Sequence, residues 1–131
     1  MLIFTISGTP VPWAAHRGYG RKSFNPRYKE REFYQWQIKS QYNQEAPISG
    51  AVKLSYCFYM PIPKSISKAR RTAMCNNTFP HLVRPDIDNL NKFLSDCLKT
   101  LVFEDDSQVV ELNSRKIYSE IPKTFVQVEA L

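Results

Sequence analysis

Asp86 and Asp88 flank a single isoleucine in the segment Arg84-Pro85-Asp86-Ile87-Asp88-Asn89-Leu90-Asn91-Lys92, and a second acidic pair follows in Phe103-Glu104-Asp105-Asp106-Ser107. Hard oxygen donors with no histidine or cysteine among them suit Mg²⁺ or Mn²⁺, and a sparse carboxylate set leaves water and phosphate to complete the coordination shell. An EF-hand calcium loop is excluded. Counted from Asp86, the positions that need Gly and a bidentate Glu hold Asn91 and Cys97. Lys92 lies one helical turn after Asp88, so the two project from the same side of the helix that begins here. As an exposed ion pair they contribute only about 0.3–0.5 kcal/mol. Beside a metal-bound phosphate the same ammonium stabilises charge developing on the oxygens.

Each of these residues also has an ordinary explanation. Asp is common at helix N-termini, where it caps free N–H groups and favours the helix dipole, and acids in turns are usually turn residues. Geometry adds a difficulty. A helix of about fourteen residues is roughly 21 Å long, so Asp106 begins at the end of the helix far from Asp86, and the sequence alone does not bring them together.

The elements that position these residues follow from hydrophobic periodicity. Leu2 to Ser7 alternates as a strand, and Pro10 and Pro12 end it. Residues 13–26 mix Gly, aromatic and basic residues without a sustained period and predict a surface loop. Arg27 to about Glu45 predicts a helix with Phe33, Trp36, Gln37 and Ser40 on one stripe, flanked by Tyr34 and Ile38 and stopped by Pro47. Ala51 to Met60 is the clearest strand, with Val52, Leu54, Tyr56, Phe58 and Met60 on one face. Lys64 to Met74 predicts a short basic helix, and 76–85 is irregular. Asp88 to Leu101 predicts a helix whose stripe of Leu90, Phe93, Leu94, Cys97, Leu98 and Leu101 faces the core. Gln108 to Tyr118 and Lys123 to Ala130 predict two strands closing a hairpin around Pro122. The order implies an α+β fold, a small sheet with helices packed against it, and 131 residues suit one domain, 1–131.

Charge is distributed unevenly along the chain. Residues 1–85 carry 13 basic and 3 acidic side chains, a net of +10, whereas 86–131 carry 5 and 9, a net of −4. A basic field attracts phosphate backbones, yet a nucleic-acid binder gains nothing from gathered carboxylates unless they carry something positive. A bound metal ion reconciles the two. Three cysteines without a C-x-x-C pair and two histidines argue against a disulfide framework or a zinc site. No apolar run approaches the roughly 20 residues that cross a bilayer, and the first residues lack the basic and apolar regions of a signal peptide. The expectation is a cytoplasmic protein.

The two acidic blocks, Asp86-Ile87-Asp88-Asn89-Leu90-Asn91-Lys92 with the helix behind it and Phe103-Glu104-Asp105-Asp106-Ser107-Gln108-Val109, resemble in order and spacing the RusA family of Holliday-junction resolvases of bacteria and their phages. The resemblance implies that Asp86, Asp88 and Asp106 are the metal-binding catalytic carboxylates, with Mg²⁺ as cofactor and Mn²⁺ as a substitute, and that Lys92 is needed for cleavage. It implies a homodimer built on a small mixed sheet with helices, its acidic site at or near the dimer interface. Branched DNA in the form of a four-way junction is the implied substrate, cut by paired phosphodiester hydrolysis during recombination and repair. No small-molecule substrate or membrane partner is implied. Where several relatives carry arginine directly before the first aspartate, this chain has Pro85, with Arg84 one position earlier. Arg17, Arg21, Lys22, Arg70, Arg71 and Arg84 are the expected DNA contacts, the 61–80 segment with Lys64, Lys68, Arg70 and Arg71 extending the surface.

Two other readings use the same residues. A branched-DNA-binding protein without catalysis would stack Tyr19 and Phe24 on bases and use its acids as caps, leaving Lys92 without a role. A metal nuclease acting on flaps or single strands would share the metal site.

Overall fold

The computed structural model describes residues 1–15, 17–19, 22–24 and 26–131, with backbone alone for 17–19 and 22–24. Strand β1 (Leu2–Ser7) is followed by a short ribbon, β2 (Arg17–Tyr19) and β3 (Lys22–Phe24), then helix α1 (Tyr28–Gln41) and strand β4 (Val52–Pro61). Helices α2 (Lys68–Cys75) and α3 (Ile87–Leu98) lead to a single 3₁₀ turn (Asp106–Gln108) and to strands β5 (Val109–Ser119) and β6 (Lys123–Ala130). The result is α+β with a mixed four-stranded sheet, order β1-β6-β4-β5. Within this sheet β4 and β5 run parallel, and the β1/β6 and β4/β6 pairs are antiparallel.

Strand β4 takes the interior of the sheet because it carries the longest alternation of large apolar side chains. Val52, Leu54, Tyr56, Phe58 and Met60 are all buried, as the alternation predicts. Its central place overturns the expected hairpin: β5 and β6 do not pair with each other, since β4 lies between them. Ser119 stands opposite Pro61 and Lys123 opposite Tyr59, so a three-residue link suffices to step over the end of β4. A buried apolar strand satisfies its backbone groups best with a neighbour on each edge, and this preference outweighs the pairing of adjacent segments.

Helix α3 buries Leu90, Phe93, Leu94, Cys97 and Leu98 against β4 and α1, as the stripe predicts. It stops at Leu98, earlier than Leu101, where Lys99 caps it and Thr100 turns with φ of 70°. Burial pushes the Cys97 thiol up to about 12, which marks it as a core residue.

Helix α1 and the 13–26 segment also differ from the expected pattern. Helix α1 buries Tyr34, Gln37 and Ile38, whereas Phe33 and Trp36 stay 49% and 67% exposed. The buried face is partly polar because α1 seals the outer edge of β1. Gln37 Oε1 accepts the Ser7 N–H at 3.0 Å. The Gln41 amide accepts the Thr5 N–H and donates to the Thr5 carbonyl, each at 2.9 Å. The 13–26 segment, expected as a loop, contains the β2–β3 ribbon, with Arg17 opposite Phe24 and Tyr19 opposite Lys22.

Helix α2 starts at Lys68, where the Ser67 hydroxyl accepts the Arg70 N–H at 3.2 Å. It anchors Met74 in a small satellite core with Ile62 and Tyr118.

Candidate active site

The two aspartates stand at the entry to α3, and the chain reaches them through a cis Arg84–Pro85 bond. Lys116 on β5 fixes this entry, its ammonium donating to the carbonyls of Val83 and Pro85 at 2.8 Å each. Asp86 occupies the N-cap position, yet its side chain makes no capping hydrogen bond. The commonest structural use of an aspartate here is therefore not realised, and its carboxylate is exposed. Asp88 is also exposed, with Oδ1 accepting the Asn89 N–H at 3.0 Å. Among the described residues neither forms an ion pair. On the inner side, Asn91 Oδ1 accepts the Ser114 hydroxyl at 2.5 Å and Ser95 is 2.8 Å from the Tyr56 hydroxyl, which locks the helix onto β4 and β5.

Lys92 does not pair with Asp88. Its Nζ lies 3.6 Å from the centroid of the Trp13 ring, a contact made possible by the strap after β1. The Trp13 N–H donates to the Asn89 carbonyl at 2.9 Å, and the Val11 N–H donates to the Tyr34 hydroxyl at 3.0 Å. A cleft of about 650 Å³ opens beside this point, lined by Trp13, Arg84, Asp86, Asn89, His81 and Tyr118 among others. Burial, and then the Lys116 charge, lower the pKa of His81.

The second acidic pair divides its labour. Asp105 N-caps the 3₁₀ turn, its carboxylate accepting the N–H and hydroxyl of Ser107 at 3.0 and 2.5 Å. Gln108 completes a capping box by accepting the N–H groups of Glu104 and Asp105 at 2.8 Å each. The Ser107 hydrogen bonds, with Lys99 nearby, hold the Asp105 carboxyl below its ordinary range. Asp106 has no such task. It is exposed, with Oδ2 3.9 Å from Lys99 Nζ.

Lys99 caps the C-terminus of α3, which places Asp106 at that end and Asp86 at the other. Across twelve residues the helix spans about 18 Å. Among the described residues no three His, Cys, Asp or Glu side chains gather closely enough to hold a metal ion. Asp86 and Asp88 offer the donor chemistry for one, two exposed carboxylates, since Mg²⁺ is commonly held by one or two carboxylates with substrate phosphate and water completing the shell.

Of the expected DNA contacts, Arg84 is exposed at the rim of the cleft. Arg70 is exposed on α2 with its guanidinium 6.0 Å from the Phe79 ring, whereas Arg71 is half-buried and donates to the Pro63 carbonyl at 3.1 Å. Arg21 and the side chains of Arg17 and Lys22 lie outside the described residues, as do the side chains of Tyr19 and Phe24. Trp13 and Lys116 carry no signal in the sequence, because each acts on a partner remote in the chain and no local pattern reports such a contact. Asp96, one turn after Lys92, is equally silent there. Partial burial and then the Asp106 charge raise its pKa, and it lines a second cleft of about 620 Å³ with Trp13, Arg31 and Lys99.

The class that accounts for this arrangement is that of DNA-cutting hydrolases. The family model described as "Endodeoxyribonuclease RusA" matches residues 7–129, and the chain belongs to that family. It is also similar to a protein of Bacillus subtilis (strain 168) described as "Uncharacterized protein YqaN", 34% identical over 132 residues that cover 95% of this chain and 93% of the relative. No helix among the described residues is long and apolar enough to cross a membrane.

Proposed function

We propose that this chain is a Mg²⁺-dependent, structure-specific endodeoxyribonuclease that resolves four-way DNA junctions by paired phosphodiester hydrolysis, in recombination and repair. The observation that carries this is the pair of exposed carboxylates at the mouth of α3, Asp86 without a capping bond, with Lys92 one turn behind them. Membership of an endodeoxyribonuclease family supplies the reaction class.

Asp86 and Asp88 hold the metal, and Asp106 completes the set. When bound, Mg²⁺ or Mn²⁺ supplies Lewis acidity toward the phosphate and a water acidic enough to attack at neutral pH. Lys92 offers its ammonium to the phosphate oxygens as their charge rises. Lys116 holds the Asp86 entry in place from behind, and Arg84 and Arg70 contact DNA backbone on either side.

Asp106 comes from a second copy of the chain. Two features of the sheet support this. Its β1 edge is closed by Gln37 and Gln41, while β5 forms the other edge and leaves Val110 and Leu112 64% and 40% exposed. Both share the parity of Ser114, which faces α3. Two β5 strands pairing antiparallel about a two-fold axis near residues 110–112 cover these side chains mutually. The same operation carries Asp106 of the second copy toward the Lys116 end of the strand, where Asp86 stands. A two-fold dimer then has two sites, as paired nicks require.

The test is incubation with a synthetic four-way junction, with and without Mg²⁺, followed by mapping of the nicks. Symmetric paired nicks that need the metal support the assignment. Binding without cleavage identifies a junction-binding protein instead, and preferential cutting of flaps or single strands identifies a different nuclease.

A further inference from the structure

We infer that Trp13 is a positioning residue for Lys92, its indole face holding the ammonium away from two neighbouring carboxylates so that it stays available to phosphate. The inference rests on the nuclease assignment for what Lys92 does, and on geometry for what Trp13 does.

Lys92 lies one helical turn after Asp88 and one turn before Asp96, and both spacings favour an ion pair along the helix. Neither pair forms, although Asp96 is near enough for Lys92 to lower its pKa. The ammonium sits 3.6 Å from the Trp13 ring centroid, well inside the roughly 6 Å reach of a cation–π contact, for which Trp is the strongest partner. This leaves Asp88 unneutralised for a metal ion and leaves the side of the ammonium away from the ring open to substrate.

Trp13 is held firmly enough for this task. Its N–H is bonded to Asn89, Pro12 restricts the backbone just before it, and its ring packs against the main core. It also lines both large clefts, the one with Asp86 and Asn89 and the one with Asp96 and Lys99, and so forms the wall between them. A residue that only filled space here would need apolar bulk. A residue that positions Lys92 needs a π face.

Ring fluorination separates these two requirements, because each fluorine weakens the ring quadrupole with little change of shape. The chain has two tryptophans, so a Trp36→Phe background, at a position exposed on α1 and outside the site, leaves Trp13 alone to be replaced by mono-, di- and trifluorotryptophan. Single-turnover cleavage of a four-way junction at saturating Mg²⁺ should fall stepwise along the series, by about tenfold in all. Junction affinity and melting temperature should stay constant. In a Lys92→Ala background the series should be flat. Trp13→Leu, which keeps apolar bulk, should lose rate similarly and should not add to Lys92→Ala. Equal cleavage across the series by a parent that cuts junctions, or the same fall without Lys92, overturns the positioning role and leaves the nuclease assignment standing. A parent that cuts no branched or linear DNA overturns the assignment, and the role of Trp13 with it.

Discussion

Asp86 and Asp106 stand at opposite ends of helix α3, one at its N-cap and the other beside Lys99 at its C-cap. A rigid helix of about 18 Å separates them, and its inner face is locked to the sheet by Asn91–Ser114 and Ser95–Tyr56. One chain therefore cannot place both carboxylates on one metal ion without unpacking its core. Either Asp106 acts on another chain's site, or it does not act as a ligand.

Subunit mixing distinguishes these alternatives. Asp88→Asn and Asp106→Asn should each be inactive alone. If the site is shared between chains, exchange of subunits in an equal mixture should restore nicking. Half of the dimers are then mixed, and each of these has one intact site, so about a quarter of all sites recover. Absence of recovery after verified exchange, or full activity of Asp106→Asn alone, removes Asp106 from the metal site.

Leu112→Lys places a charge on the proposed pairing edge, a common means of blocking strand association. The variant should be monomeric by analytical ultracentrifugation, keep its circular dichroism and lose junction cleavage. A dimer of unchanged affinity would locate the interface elsewhere.

Lys92→Ala should remain folded and dimeric, bind the junction and lose at least about tenfold in single-turnover rate, up to roughly a hundredfold if its loss resembles that of one oxyanion donor. As a solvated surface lysine it would matter by less than about 1 kcal/mol. Extra Mg²⁺ should not rescue the variant, because Lys92 is not a metal ligand.

Junction binding should weaken steeply with salt. Arg70→Ala should flatten the log–log slope by about 0.9 for each phosphate it no longer neutralises. Arg71→Ala should change the slope less and lower the melting temperature more, since Arg71 is half-buried and holds the Pro63 carbonyl. Equal effects on slope would mean that α2 presents both arginines to DNA.

His81 makes stability depend on pH. Burial first, and Lys116 second, push its pKa below the ordinary 6.5, so the unfolded chain takes up a proton before the native one does. Its contribution is complete above about pH 6.5 and is lost as the pH falls from there through the native value. His81→Phe keeps the ring that packs 4.7 Å from Tyr118 and removes the titration. The variant should lose less melting temperature between about pH 7.5 and 5.5, as calorimetry would show, and an identical loss would remove His81 as the cause.

The sequence by itself determined what depends on neighbours within a few residues. The stripe from Leu90 to Leu98 and the alternation from Val52 to Met60 are set by backbone periodicity, and both bury the faces it predicts. The spacing of Asp86, Asp88 and Lys92 and the Asp105-Asp106 pair were legible for the same reason, as was the family to which they belong. Only tertiary structure decided the rest. The exposure of Phe33 and Trp36 follows from the need of β1's edge for Gln37 and Gln41, a demand made from about thirty residues away or more. The insertion of β4 between β5 and β6, the capture of Lys92 by Trp13 and the grip of Lys116 on the Asp86 entry are likewise contacts between distant segments. No periodicity encodes them, because they arise from competition among all the backbone edges and charges that folding brings together.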